Sequence, residues 1–331
     1  MAGKNCILKP KIVVVGNAVI SESVISLLRD KFDLIQVKSN ELKETLENNY
    51  SMAGVWIHFD TYLDKGYKKH LENINYLISS TTGLTHVANE IQHHFGENLI
   101  CLRNRLSFLP NISSTAEHAW ALVMLGQQDL NVSLQHVKSG NWDRVNNLRD
   151  KQLSSQNLGV IGFGRLGSMV ANYGRAFGMT VRINDIKSDA INSAKREGFQ
   201  VIQTLEQLIV DSDIVSIHAN FDNGNSPIIT NNVLEKINKP LLLVNTSRAG
   251  LVDEDAILQE IERKPHLRYF TDVLSCEEYG SKIQESKLWE KSLTDQRIKI
   301  TPHIGGATKE AITLCEEELM RDLLNRLFNK N

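Results

Sequence analysis

Three side chains suited to handling charge and protons stand at wide intervals in the second half of the chain. They are Arg248 in NTSRAG (Asn245–Gly250), Glu277 in TDVLSCE (Thr271–Glu277) and His303 in TPHIGGAT (Thr301–Thr308). A guanidinium fork grips a carboxylate and can polarise an adjacent carbonyl. A histidine exchanges protons near neutral pH, and a carboxylate bonded to one ring nitrogen fixes its tautomer. Each residue also has a plainer reading. Arg248 could be a solvated surface arginine or a cap on the next helix, and the chain has ten histidines. What favours the chemical reading is position, because each residue follows an apolar, strand-like run.

A fourth segment, GVIGFGRLG (Gly159–Gly167), sets Gly162, Gly164 and Gly167 as G-x-G-x-x-G between an apolar run and a helical pattern at Ser168–Phe177. In such a cradle the first glycine allows a tight turn, the second lets a pyrophosphate approach the backbone, and the third lets helix pack on strand. The helix N-terminus adds free N–H groups, and Arg165 a charge-assisted bond. Asp185 ends the next strand, where a carboxylate accepts from ribose hydroxyls and repels a 2′-phosphate. NAD is therefore favoured over NADP, although Arg182 and Lys187 keep NADP open. Asp272 either bonds a nicotinamide carboxamide or caps a loop. His218 ends a strand on the cofactor side. Glu117 fits a capping box with Ser114 as N-cap. His86, His93, His94 and His118 have no metal-ligand partners at useful spacing and read as structural or surface residues; no metal site is expected.

The elements that must carry these groups form two series of βα units. In the first, strands are expected at Lys11–Val15, Leu34–Val37, Gly54–Ile57, Tyr76–Ser79 and Leu99–Leu102, with a helix at Ser21–Arg29. Short apolar runs separated by amphipathic stretches indicate a parallel sheet. Loop chemistry at Pro110–Ser113 marks a break, and an all-round apolar helix, about Thr115–Gln127, follows; such a helix is buried in a core or against another subunit. Gln128–Gln156 reads as polar loop. The second series has strands at Leu158–Ile161, Thr180–Ile183, Ile214–His218, Leu241–Asn245, Arg268–Asp272 and Ile298–Thr301, and a last helix at Lys309–Lys330 returns to the first domain. The expected architecture is α/β. A Rossmann-type nucleotide-binding domain (113–305) is inserted in a smaller flavodoxin-like parallel-sheet domain (1–112 plus 306–331).

Charge is balanced, with 37 Lys+Arg against 39 Asp+Glu, so neither nucleic acid nor an anionic membrane is called for as a partner. Cys6, Cys101, Cys276 and Cys315 make no C-x-x-C and no metal spacing, which points to a reduced, cytoplasmic setting. The N-terminal residues lack the long apolar run of a signal peptide, and no stretch approaches a bilayer-spanning length.

Together these segments resemble the D-isomer-specific 2-hydroxyacid dehydrogenase family. The resemblance runs from about Thr81 to Ala311 and includes TTGLTHVA (Thr81–Ala88), NISSTAEHAWALVML (Asn111–Leu125), Gly140–Trp142 and NTSRAGLVDEDAIL (Asn245–Leu258). It implies a substrate held between two domains, with Arg248 binding its carboxylate and carbonyl, His303 as acid/base and Glu277 orienting it. It also implies NAD contacts at Arg165, Leu166, Asp185, His218, Ala219, Thr246, Asp272 and Gly305, and substrate contacts at His58, Thr82 and Gly83. A homodimer through the helix after the break would follow as well. The chain departs from the family's pattern at Thr85, at Glu278, at His218-Ala219-Asn220 and at Gln128. Asp60, beside His58, would repel a phosphate and so argues against a phosphorylated substrate. With the sequence ending at Asn331, the regulatory domain that longer members append is not expected here. Two alternatives remain: a non-enzymatic NAD(H)-sensing binding protein on the same scaffold, and phosphite oxidation, which shares the Arg/Glu/His set. Formate oxidation would pair its histidine with glutamine rather than Glu277.

Overall fold

The computed structural model describes residues 9–48, 52–103, 105–127, 130–144, 151–221, 226–279 and 282–328, the side chains at 130, 131, 278 and 279 excepted. Cys6, Gln128 and the final residues of the expected last helix lie outside this set, as does the side chain of Glu278. The chain forms two compact units, Met1–Leu109 with Thr308–Asn331, and Pro110–Ala307.

In the first unit, β1 (Lys11–Val15), β2 (Asp33–Val37), β3 (Met52–Ile57), β4 (Ile74–Ser79) and β5 (Leu99–Cys101) make a parallel sheet in the order β2-β1-β3-β4-β5, the flavodoxin-like order. Every residue of β3 is buried, as expected for a strand covered on both faces. Around the sheet lie α1 (Glu22–Lys31), capped by the Ser21 hydroxyl, α2 (Leu42–Glu47) and α3 (Asn89–Phe95).

The second unit opens with α4 (Ser114–Gln127) and α5 (Leu130–Lys138). Its strands are β6 (Asn157–Ile161), β7 (Thr180–Asn184), β8 (Gln200–Val201), β9 (Ile214–Ile217), β10 (Leu241–Asn245), β11 (Leu267–Thr271) and β12 (Ile298–Ile300). They are all parallel in the order β12-β11-β10-β9-β6-β7-β8. That is the doubly wound dinucleotide order with one strand added, and it reverses between β6 and β9. The helices are α6 (Arg165–Ala176), α7 (Ser188–Arg196), α8 (Leu205–Asp211), α9 (Asn231–Leu234), α10 (Glu254–Arg263) and α11 (Lys287–Ser292). Alternate residues of β10 feed two cores: Leu241 and Leu243 pack with Ile257 and Ile261, and Leu242 and Val244 with Ala119 and Val123 of α4. This is the period-two consequence of covering both faces of one sheet. The chain then returns to the first unit as α12 (Lys309–Phe328), whose buried Glu316 accepts from the backbone N–H groups of Ile20 (2.8 Å) and Ser21 (2.7 Å).

Three local expectations are corrected. Part of the expected loop at Gln128–Gln156 is α5: Leu130, Val132 and Leu134 alternate with polar residues, a strand-like period that hides the helix. The cap of α4 is one residue earlier than expected, since Ser113 accepts from the N–H groups of Ala116 and Glu117 and its hydroxyl bonds Glu117 (2.6 Å). His218, Asp272 and Thr301 are not the last residues of strands but the first beyond them.

Candidate active site

Every candidate group in the second unit leaves the carboxyl edge of the same parallel sheet: Gly162 after β6, Asp185 after β7, His218 after β9, Arg248 after β10, Glu277 after β11 and His303 after β12. Ligands of open α/β sheets bind at this edge, near the point where strand order reverses.

The cradle is set by contacts as much as by its three glycines. Gly162 has φ +89°, a conformation that L side chains rarely adopt, and a Cβ there would also meet the backbone of His218 and Ala219 at 2.8 Å. A Cβ on Gly167 would lie 1.9 Å from the Gly162 carbonyl oxygen, so α6 can start here only without one. Gly164 is different: nothing lies within 4 Å of its hypothetical Cβ. That open face is where an anion could reach the first turn of α6. The Asp185 carboxylate holds the cradle from below, accepting from Phe163 N (2.7 Å) and Lys187 N (2.8 Å). The Arg165 guanidinium donates to the Ile112 carbonyl, so it is turned partly toward the segment before α4. Leu166 is half-buried. On the β9 side of the switch point, the Ser247 hydroxyl donates to Ala219 O (2.8 Å) and ties the β9 and β10 loops together. Beside it the Thr246 hydroxyl is buried with no hydrogen-bond partner among the described residues. Such a group costs free energy unless a ligand satisfies it. The open Gly164, the orphan Thr246 hydroxyl and the switch-point position fit a bound dinucleotide. The His218 ring bonds Ser216 Oγ (2.8 Å), and burial pushes its pKa down to about 4, so it is a neutral group near pH 7.

Arg248 is presented by a turn that Asn245 builds. The wholly buried Asn245 side chain accepts from Ser247 N (3.0 Å) and donates to Arg248 O (2.9 Å). The half-buried Arg248 guanidinium donates to Ser247 O (2.7 Å).

Glu277 lies in the turn Ser275–Tyr279. One of its oxygens accepts from Leu274 N (3.1 Å), and the other lies 3.0 Å from His303 Nδ1. The Glu254 carboxylate fastens the same turn, accepting from Ser275 N (2.8 Å) and Ser275 Oγ (2.7 Å). Burial raises the Glu254 pKa, against the lowering effect of the Ser275 bonds. His303 has φ +52°, the one positive φ of a non-glycine residue among those described. The left-handed region costs an L-residue about 1–2 kcal/mol, and such strain persists where the surroundings over-determine it.

Asp272, expected at a nicotinamide carboxamide or as a loop cap, has the hydrogen bonds of a loop cap. Its buried carboxylate accepts from Thr301 Oγ1 (2.5 Å), Ile304 N (2.9 Å) and Gly305 N (2.7 Å), with His118 Nε2 3.3 Å away. Gly305, also expected at the cofactor, donates its N–H to this carboxylate. Sequence reading missed Asn245, Glu254 and His118. Only Asn245 had a local signal, the Asn-Thr-Ser turn; the partners of the other two are distant in sequence.

His58, Thr82 and Gly83 lie on the first unit. His58 Nδ1 is 3.7 Å from the Asp60 carboxylate. The loop of Thr82 and Gly83 is shaped from within: Thr81 Oγ1 donates to Gly83 O (2.7 Å), and Ser79 Oγ bridges Thr81 Oγ1 (2.8 Å) and His86 Nε2 (3.2 Å). Among the described residues no His/Cys/Asp/Glu group is disposed to hold a metal ion, Cys101, Cys276 and Cys315 form no disulfide, and no helix is long and apolar enough to cross a membrane.

Residues 120–305 match the family described as D-isomer specific 2-hydroxyacid dehydrogenase, NAD binding domain, and the chain belongs to that family. It is similar to a D-3-phosphoglycerate dehydrogenase of Bacillus subtilis, 31% identical over 201 residues, covering 61% of this chain and 36% of the relative. It is also similar to a hydroxypyruvate reductase of Thermotoga maritima, 30% identical over 216 residues, 65% of this chain and 66% of the relative. The match to the first of these spans little more than a third of that relative's length. Among solved structures, D-lactate dehydrogenase from Aquifex aeolicus complexed with NAD and lactic acid shares the fold, with TM-score 0.79 and 23% identity over 96% of each chain.

Proposed function

We propose that this chain is an NAD-dependent oxidoreductase interconverting a 2-keto acid and a D-2-hydroxy acid. The observation that carries the reading is the Glu277–His303 pair. Its members come from the loops after β11 and β12, neighbouring strands of the sheet that carries the glycine cradle. A bound nicotinamide cofactor supplies the hydride. The Arg248 fork holds the substrate carboxylate and polarises the neighbouring carbonyl. The Nδ1 of His303 is committed to Glu277, so Nε2 is the atom that gives its proton to the carbonyl oxygen as negative charge develops. Orientation and preorganised charge carry most of the acceleration. In reverse the reaction releases a proton, so rising pH favours oxidation.

The Asp185 carboxylate favours NAD over NADP. Leu166, His218, Ala219 and Thr246 are assigned to the dinucleotide, with Arg165 in a lesser role because of its bond to Ile112. His58, Thr82 and Gly83 are assigned to substrate recognition on the family resemblance, and Asp60 argues for a substrate without phosphate. Exposed Met124 on α4, Val132, Leu134 and Val137 on α5, and Trp142 support a homodimer through this region. Replacing Leu134 and Val137 with glutamate should halve the mass measured by light scattering.

The test is NADH consumption with glyoxylate, hydroxypyruvate, pyruvate, 2-ketoisocaproate and phosphohydroxypyruvate, and NAD reduction with formate and phosphite. Turnover of an unphosphorylated keto acid, lost in His303→Ala and Arg248→Ala, is the expected result. Tight NADH binding with no turnover on any of them would sink the enzymatic reading in favour of cofactor sensing. Turnover of phosphite alone would replace the substrate class.

A further inference from the structure

We propose that His118, on α4, is a positioning residue for the His303 turn, acting through Thr301 and Asp272. The kinetic part of this inference rests on the dehydrogenase reading; its geometric part does not.

The direction of each hydrogen bond follows from the atoms. Burial alone would raise the Asp272 pKa, but the donors around it, His118, Thr301, Ile304 and Gly305, hold it below its ordinary value. An ionised carboxylate only accepts, so the single O–H of Thr301, 2.5 Å away, is spent on Asp272. The Thr301 oxygen can then only accept, and its neighbour at 2.9 Å is His118 Nε2. His118 Nε2 therefore carries the hydrogen and donates it. His118 Nε2 thus faces both the Thr301 oxygen (2.9 Å) and Asp272 Oδ1 (3.3 Å), and Thr301 passes its own hydrogen to Asp272, with the His118 tautomer assigned by its partners.

The residues that Asp272 binds bracket His303. Thr301 precedes it by two positions, and the N–H groups of Ile304 and Gly305 follow it directly. The backbone of His303 is left-handed at φ +52°, which an L-residue leaves unless neighbouring bonds forbid it. Those neighbouring bonds converge on one carboxylate. The far end of the network is fixed, because Ala116 and Ala119 of α4 are wholly buried in the core under β10 and β11. Gly305 lies so close to this helix that a Cβ would meet Asp272 Oδ2 at 3.0 Å and Thr115 Cγ2 at 3.3 Å. The 3.0 Å approach of His303 to Glu277 therefore depends on two loops, each pinned by its own carboxylate: the buried Asp272 for the His303 turn, the half-buried Glu254 for the Glu277 turn. Among the hydrogen-bond partners of Asp272, His118 is the one that stands on a core helix, as Glu254 at the start of α10 does for the Glu277 turn.

The experiment compares His118→Ala, His118→Gln and Thr301→Val with the wild-type chain, all checked for native melting. Glutamine can place an amide N–H where His118 Nε2 stands. The expected result with the best keto acid is kcat lower by about 10- to 100-fold in His118→Ala and Thr301→Val, the range for a modest misplacement of a reacting group. KM and NADH affinity should stay within about twofold, and His118→Gln should recover most of kcat. Independently of turnover, the NMR signal of the His303 Nδ1 proton should be seen in wild type and His118→Gln and lost to water exchange in the other two. A folded His118→Ala with unchanged kcat and an unchanged Nδ1 signal would overturn the proposal, as would a His118→Gln as impaired as the alanine. If the wild-type chain reduces no member of the panel, the functional reading fails while the Nδ1 comparison still decides the role of His118.

Discussion

Alanine at Gly167 and alanine at Gly164 should have opposite consequences, although the two positions are three residues apart in one motif. At Gly167 the new methyl would lie 1.9 Å from the Gly162 carbonyl oxygen, 3.0 Å from its carbon and 3.3 Å from the His218 Cβ. Ordinary contact begins near 3.4 Å, so the first of these must open by about 1.5 Å, and both atoms belong to backbone held by other bonds. Gly162 N is fixed to Asn184 O at 2.8 Å, and Asp185 holds Phe163, so the turn cannot yield without breaking them. Overpacking of this kind costs about 3 kcal/mol, which for a unit of this size lowers the melting temperature by roughly 6–12 °C. At Gly164 the methyl meets nothing within 4 Å, and φ −84° suits any L-residue. Stability should change by less than about 1 kcal/mol. The methyl would nevertheless occupy the face from which a pyrophosphate approaches, so NADH affinity should drop at least about tenfold. The assay is a thermal melt of each variant with and without NADH, together with a fluorescence titration. A Gly167→Ala chain that melts with wild type would refute the packing argument. A Gly164→Ala chain that binds NADH normally would refute the assignment of the phosphate path.

Thr246→Val removes a buried hydroxyl that has no partner among the described residues, so the free chain should be as stable or gain about 1 kcal/mol; if the hydroxyl serves the cofactor, NADH titration should show weaker binding, and unchanged binding would remove Thr246 from the site. The His218 pKa is about 4 in the folded chain against 6.5 unfolded, so the unfolded state takes up more protons between those values. Its contribution to stability is complete above pH 6.5 and declines as pH falls toward 4, by at most about 3 kcal/mol. Melting curves over that window should be flatter for His218→Gln, and equal slopes would show that the ring titrates freely when folded. Glu254→Gln should loosen the Ser275–Tyr279 turn and lower kcat by roughly 10-fold with little change in NADH affinity; an unchanged kcat would mean that Leu274 N alone holds Glu277.

Much of the architecture can be read along the chain because its causes are local. Strands covered on both faces are runs of apolar residues, and β1 and β10 lie where those runs lie. The cradle is legible because a strand, a turn and a helix start are adjacent in sequence, each with its own glycine requirement. Where the local pattern misled, the cause was also physical. The alternation of Leu130, Val132 and Leu134 has the period of a strand, yet the segment is helical, with Val132, Leu134 and Val137 left exposed.

The amino-acid sequence alone determined the parallel α/β units, the glycine cradle and the order in which Arg248, Glu277 and His303 follow their strands, because apolar periodicity and turn chemistry act over a few residues. The tertiary structure alone decided which polar groups answer one another. His118 and Thr301 are 183 positions apart, Glu254 and Ser275 are 21, and Asp272 and Gly305 are 33. A side-chain hydrogen bond has a reach of about 3 Å and no sequence period. Such pairs come into being only once the sheet has brought the ends of β11 and β12 beside α4, and the strained backbone of His303 is held by them.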